Sequence, residues 1–343
     1  DINRVASTWL RRDNRTVGIY EPTEAPARAP QGQRVDVAAM VKDYRGDAAA
    51  GQVEAFDPTP ATLDARTQLS QVGALQVALL PKGTRGRVVH ARLVLRFGDE
   101  KSLFGQETVA SFAAGLLDKG GAGLTRQQIA DQLDKLQAEV GFGSHGQALT
   151  VHINTRRQHL PAVLTLVGRL LREPAFPAEP LEELRRQWLA GIERQRKEPD
   201  AVIANWLARH GNPYPRGDLR HAQSFDELEQ DVRAVTVAQL QGFHRRFVSA
   251  ATGEFSAVGD LDAAAVQQAL QTALGGWQQP AGGPAPFVRL PQPLVQAPAE
   301  RFVAQTPDKA NANLRGRLTL PLSDRHPDYA ALQMANFIFG LDG

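Results

Sequence analysis

Two stretches whose composition disfavours regular structure divide this chain. PTEAPARAPQGQR (22–34) is built largely from proline and alanine, and GGWQQPAGGPAPFVRLPQP (275–293) is rich in glycine and proline. Proline lacks the N–H that a ladder or helix needs, and glycine loses the most backbone freedom on ordering, so both read as extended linkers. Between them VDVAAMVKDY (35–44) predicts a short helix and AFDPTPATLDART (55–67) a loop with two prolines. A compact region begins near Gln71. Its alternating and helical hydrophobic periods interleave. ALQVALLP (74–81), RVVHARLVLRFG (87–98), ALTVHINT (148–155) and GEFSAVGD (253–260) predict strands. Helices are predicted over Glu107–Leu117, from Pro161, over Pro180–Lys197 and over Ala201–Arg209. Thr125 with Gln128, and Thr236 with Gln239, have the spacing of capping boxes, and Asp262 is placed to cap a last helix ending at Leu274. Gly141 is placed to stop the helix that Thr125 starts. Strands mixed with long helices, some in hairpin order, predict an α+β fold of packed layers.

The 343 residues suffice for two or more cores. The absence of cysteine excludes a disulfide framework, a thiolate zinc site and a cysteine nucleophile. Net charge is only +2, basic and acidic residues are interleaved, and aromatics are 6%, which disfavours a nucleic-acid partner. The densest basic run, RRQWLAGIERQRK (185–197), reads as the polar face of a helix. No apolar run approaches the ~18 residues of a membrane span. The chain opens with an amphipathic helix carrying Val5, Trp9 and Leu10, then a strand over Thr16–Tyr20. It stops within a helical pattern, MANFIFGLDG. The expectation is a piece of a longer protein, with no signal peptide in view.

A weak internal repeat supports that organisation. At an offset of 225 residues, Arg92 meets Arg317, Leu93 meets Leu318, Leu95 meets Leu320, Asp99 meets Asp324, Ala110 meets Ala335, Phe112 meets Phe337 and Gly115 meets Gly340. One strand–loop–helix order at one offset predicts a duplicated domain with an incomplete second copy.

Candidates for chemistry are few. The closest histidine spacing is seven residues, whereas a helical metal pair needs three or four. His152 alternates with Val151 and Ile153 and so faces away from them. In GFGSHG (141–146) Ser144 and His145 are neighbours that a strand would point to opposite faces, so a polar turn is expected. GTRG (83–86) and KGGAG (119–123) lack the residues of a phosphate loop and read as turns. Glu182 and Glu183 suit the first turn of a long helix. The helix from Glu107 is built mostly of small residues: Ala110, Ser111, Ala113, Ala114 and Gly115.

The order of elements resembles the M16 (insulinase, or pitrilysin) family of zinc metallopeptidases, above all its long bacterial members with two tandem halves. NRTVGIYEPT (14–23) is similar to the end of a first half. EAFDPTPATLDART (54–67) and LLPKGTRG (79–86) are similar to the connector and first hairpin of a second. The resemblance implies two-layer α/β sandwich domains, tandemly repeated. It divides the chain into a tail (1–20), an interhalf linker (21–70), a domain without the zinc motif (71–276), a Pro/Gly linker (277–295) and the start of another domain (296–343). The family's H-x-x-E-H, aligned on Lys119-Gly120, falls on Ser111, Ala114 and Gly115, so no metal, cofactor-binding or catalytic residue is carried over. Glu182 or Glu183 lies near the family's third-ligand position. The substrate-gripping Arg and Tyr would lie past Gly340, and neither is assigned.

The resemblance therefore implies a non-catalytic, chamber-forming half. Its partners would be a zinc-bearing catalytic half and a peptide substrate, with no nucleic acid and no membrane span. A periplasmic location is a family expectation. The alternative is a non-enzymatic scaffold subunit. A third reading, an unrelated enzyme using Asp118 or Asp99, rests only on their carboxylates.

Overall fold

A computed structural model describes residues 2–19, 42, 53–277, 287–306, 309 and 312–341. It divides into two units, residues 1–49 and 50–343. In the first, α1 (Ile2–Trp9) forms as expected, with Val5 and Trp9 exposed. Residues 15–19 are irregular rather than the expected strand. No described segment pairs with them, and an unpaired strand leaves its ladder bonds to water. Tyr20, and the helix expected over 35–44 apart from Lys42, lie outside the described residues.

The second unit is an α+β domain built on one six-stranded sheet. The sequence 55–67, expected as a loop, contains α2 (Pro60–Arg66). Proline at the first position loses no helical bond, and the Thr59 hydroxyl accepts from the Thr62 N–H. The strands are β1 (Gln68–Val72), β2 (Leu75–Pro81), β3 (Val88–Arg96), β6 (Glu139–His145), β7 (Ala148–Arg156) and β8 (Gly253–Gly259), in the order β1-β2-β8-β3-β7-β6. Only β2 and β8 run parallel. Two short strands, β4 (Gly120–Gly121) and β5 (Leu124–Thr125), form a separate pair.

One face of the sheet carries Leu75, Val77, Leu79, Ala91, Leu93, Leu95, Leu149, Val151, Ile153, Phe255 and Ala257, all buried. The helices of the domain are α3 (Glu107–Gly115), α4 (Arg126–Lys135), α5 (Leu160–Arg172), α6 (Ala178–Gln195), α7 (Pro199–Arg209), α8 (Phe225–Ala234), α9 (Val237–Phe247) and α10 (Ala263–Leu274). Most of those that carry core side chains join one cluster with that face, while Ile129 of α4 packs with Ala122, Leu166 and Leu170 in a second, smaller one. Phe97, at the end of β3, meets Phe243 of α9 edge-on at 5.4 Å. The capping boxes of Thr125 and Thr236 form as expected, and Asp262 caps α10. Ser224 with Glu227 makes a third box, starting α8.

Helix α4 ends at Lys135, not near Gly141, because Gln137 takes the left-handed conformation at its exit (φ 47°). The stretch 141–146, expected as a polar turn, lies mostly within the edge strand β6, which pairs with β7 from Glu139↔Asn154 to His145↔Ala148. The turn falls one step later, at Gly146 (φ 56°).

The other face is open over much of its length, although Val94 on it is buried. The register aligns Glu139, Asn154, His90, Val258 and Leu80 in one row. Gly141, His152, Arg92, Ser256, Ala78 and Leu69 form the next. Ser256, His152, Arg92 and His90 are exposed there.

Residues 287–306 run extended over the domain without joining a ladder. The Gln147 side chain takes the place of a neighbouring strand: its Nε2 donates to Val288 O at 2.7 Å and its Oε1 accepts from Leu290 N at 2.8 Å. Farther on, Trp206 of α7 is stacked between His210 (4.7 Å) and Phe302 (4.8 Å). The expected linker is thus held where it is described, from 287 onward, and residues 278–286 lie outside the described set. The repeat is met in part. The offset places a copy of α3 at 332–340, which helix α11 (Tyr329–Asn336) overlaps and a π-helical turn (Phe337–Leu341) completes, but 316–320 form no strand. Strand β3 is stabilised by β7 and β8 on either side, and no described segment pairs with 316–320.

Candidate functional site: a filled helix beside an open sheet edge

Helix α3 forms despite its small residues because alanine has the highest helix propensity. Small side chains also let it sit deep. Thr108, Val109, Ala110, Phe112, Ala113 and Ala114 are all buried. Trp188 of α6 lies against Phe112, with ring centroids 5.0 Å apart. One turn later, a Cβ at Gly115 would meet Leu184 Cδ2 at 3.2 Å, so α6 occupies the space a larger side chain would need.

The three positions aligned with a zinc motif are therefore brought together on one helix but cannot hold a metal. Ala114 has no exposed surface, Gly115 is backed by Leu184, and Ser111 offers one neutral hydroxyl. Glu182 and Glu183 do not converge on them. Glu182 is paired with Arg185, and Glu183 with Arg126 of α4. Among the described residues no group of three or more His, Asp or Glu side chains is placed to hold a metal ion.

Beside α3 lies β6, the end strand of the sheet. Its outer N–H and C=O groups make no backbone bond among the described residues. Gly141 and Gly143 need no special backbone conformation, and nothing lies within 4 Å of where their Cβ atoms would be. These glycines serve neither a turn nor a close approach; they leave the surface above β6 free.

At the His145 end of β6 a cavity of about 810 Å³ opens. Glu107, Tyr214, Arg220 and the held segment around Arg289 line it. Burial pushes the Glu107 carboxyl up from its ordinary value, against the opposing pull of His145 and His221. Arg220 is the fixed point of this wall. It donates to both oxygens of the buried Asp218, to Glu100 and to Pro291 O, and it lies over the Tyr214 ring at 4.1 Å. Asp218 is held below the usual carboxylate range, first by its bond from the Arg220 side chain. The edge strand and the 210–223 loop were missed by sequence reasoning. The glycines masked the alternation of Val140, Phe142 and Ser144, and nothing local marks Arg220 as a partner of Glu100 and Pro291.

Comparison with known proteins turns on the stretch that begins at the end of α8 and runs through α9, β8, α10 and α11. Residues 234–342 match the peptidase M16 inactive domain. The M16 resemblance read from the sequence is thus shown, on a stretch that does not include α3. The fold agrees. A crystal structure of an M16 peptidase inactive domain from Pseudomonas fluorescens is 22% identical, covers 66% of this chain and 54% of that one, and has a TM-score of 0.54. A protease from Helicobacter pylori is 14% identical, with 68% and 54% covered and a TM-score of 0.53. The periplasmic protease PqqL of Escherichia coli is 15% identical, with 72% and 26% covered and a TM-score of 0.54. At these identities the likeness is one of fold. The chain spans about half the length of the first two structures and about a quarter of the third. No curated protein matches it. Among the described residues no helix is long and apolar enough to cross a membrane.

Proposed function

We propose that this chain is the non-catalytic, chamber-forming half of a bacterial M16-type zinc metalloendopeptidase that degrades peptides. The observation that carries the reading is the packed helix: α3 stands beside an open sheet edge, Ala114 has no exposed surface, a Cβ at Gly115 would press on Leu184 at 3.2 Å, and Phe112 packs on Trp188. The zinc belongs to a separate catalytic half bearing H-x-x-E-H, in the same chain or a partner subunit, where it supplies an activated water. Residues of this chain hold and orient. An extended peptide added to β6 would satisfy its own backbone bonds on the free edge. Holding it there lowers the entropy cost of meeting the distant reacting groups. Glu107, Tyr214 and Arg220 would wall its path at the His145 end. The E. coli relative is a periplasmic protease, which favours the same compartment for this chain.

The test uses the peptide backbone. An extended peptide of the parent enzyme's substrate type should bind the chain. The same peptide N-methylated at alternate residues loses the donors that face β6, and its affinity should fall at least about tenfold, since each net hydrogen bond contributes about 1 kcal/mol. Equal binding of the two peptides would remove the edge strand from the reading and leave the scaffold alternative.

A further inference from the structure

The open face of the sheet carries a feature that peptide holding alone does not require. Crossing the sheet from its free edge, one row reads Gly141 on β6, His152 on β7, Arg92 on β3 and Ser256 on β8. Residues directly opposite one another on adjacent strands share a face. Gly141 leaves the outermost position bare, with nothing within 4 Å of its missing Cβ, and Gly143 does the same in the next row. His152 and Arg92 are exposed. Arg92 makes no hydrogen bond or ion pair with the described residues, although its charge helps lower the Glu254 pKa.

Arg96 is paired with Glu254 by two bonds of 3.0 and 3.1 Å. Glu139 accepts only from the neutral Asn154 amide and keeps its charge at the outer edge of the face. Arg156, exposed at the far end of β7, follows the same alternation onto this face. The row is therefore a shallow bed with an unmatched guanidinium at its inner end. Strands lie about 4.8 Å apart. A side chain on the open-face side of an added strand would cross Gly141 before meeting anything, and His152 and Arg92 stand next in line.

We propose that this bed is a subsite for an acidic side chain long enough to reach across β6 and β7, so that the chain selects extended peptides carrying Glu where they cross β6. The inference rests on the proposed peptide-holding role and adds the substrate class. A guanidinium offers paired N–H donors to a carboxylate, a geometry that glutamine or lysine in the peptide cannot match. The bed needs both parts: bare glycine to admit the side chain, and Arg92 to receive it.

The experiment measures binding of three labelled peptides by fluorescence anisotropy. They are identical and neutral except for one central residue: Glu, Gln or Lys. The wild-type chain should bind Glu over Gln by about three- to fivefold, the range of a partly exposed ion pair, and should bind Lys most weakly. Arg92→Gln should abolish the discrimination, and Arg92→Glu should invert it toward Lys. Gly141→Val, which strand propensity favours, should keep the fold yet erase the preference by filling the bed.

Equal binding of all three peptides by the wild type would overturn the subsite and leave the peptide-holding role standing. So would a preference that survives in both Arg92 variants. Failure of every peptide to bind would overturn both. A self-associated chain that excludes the peptides, seen by sedimentation, would assign the face to a second copy and equally overturn the proposal.

Discussion

Installing the full zinc motif in α3, as Ser111→His, Ala114→Glu and Gly115→His together, should destabilise the chain severely rather than load it with metal. Ala114 has no exposed surface, so a glutamate there places a carboxylate among buried apolar side chains with no partner. An unpaired buried charge costs several kcal/mol. At 115 the new Cβ would meet Leu184 at 3.2 Å before the imidazole is accommodated. The expected total is comparable to the whole stability of a domain, about 5–15 kcal/mol. Loss of the cooperative thermal transition, with no tightly held zinc after dialysis, is the predicted result. Ser111→His alone, at a partly exposed position, should be tolerated and separates a general helix defect from the specific one. A folded triple variant that holds about one zinc per chain would show that the site is merely stripped of ligands, not filled.

The second large effect is expected at Arg220. Replacing it with methionine removes both side-chain bonds to Asp218, which is only 7% exposed, together with the ties to Glu100 and Pro291 O. Breaking a buried pair from one side costs about 3–5 kcal/mol, here read as a lower urea midpoint at neutral pH. The double variant Asp218→Asn/Arg220→Met should be less damaged than the single one, because no charge is left unpaired. The pH dependence has a definite sign. The folded-state pKa of Asp218 is depressed below its ordinary 3.8. Its stabilisation is therefore fully present above that value and is lost as pH falls through the depressed folded pKa. The gap between wild type and Arg220→Met should narrow below about pH 4. A gap that stays constant through this range would mean that Arg220 acts through packing against Tyr214 and the held segment rather than through its charge.

Much of the domain was legible in the sequence, for identifiable reasons. Strand β7 alternates cleanly, β8 alternates in burial, β2 and β3 are rich in apolar residues, and Thr125, Thr236 and Asp262 cap their helices through contacts only three residues long. Local chemistry fails where the decisive partner is distant. Strand β6 looks like a glycine turn until β7 pairs with it, and Pro60 looks like a breaker until it stands at a helix start. Residues 316–320 read as a strand from their alternation, but alternation is not a ladder. The site divides in the same way. The absence of ligands at Ser111, Ala114 and Gly115 could be read directly. That Trp188 and Leu184 pack against this helix, and that Gly141, His152 and Arg92 share one row, depends on contacts between segments far apart in sequence.

The central claim is that this chain contributes enclosure and not chemistry, and turnover of a quenched fluorescent peptide tests it most directly. Three samples are compared: the chain alone, the zinc-bearing half alone, and the two combined. The account predicts no turnover by the chain, little by the zinc-bearing half, and restoration when both are present. Turnover by the chain alone would contradict it outright, and full turnover by the zinc-bearing half alone would remove the chamber role.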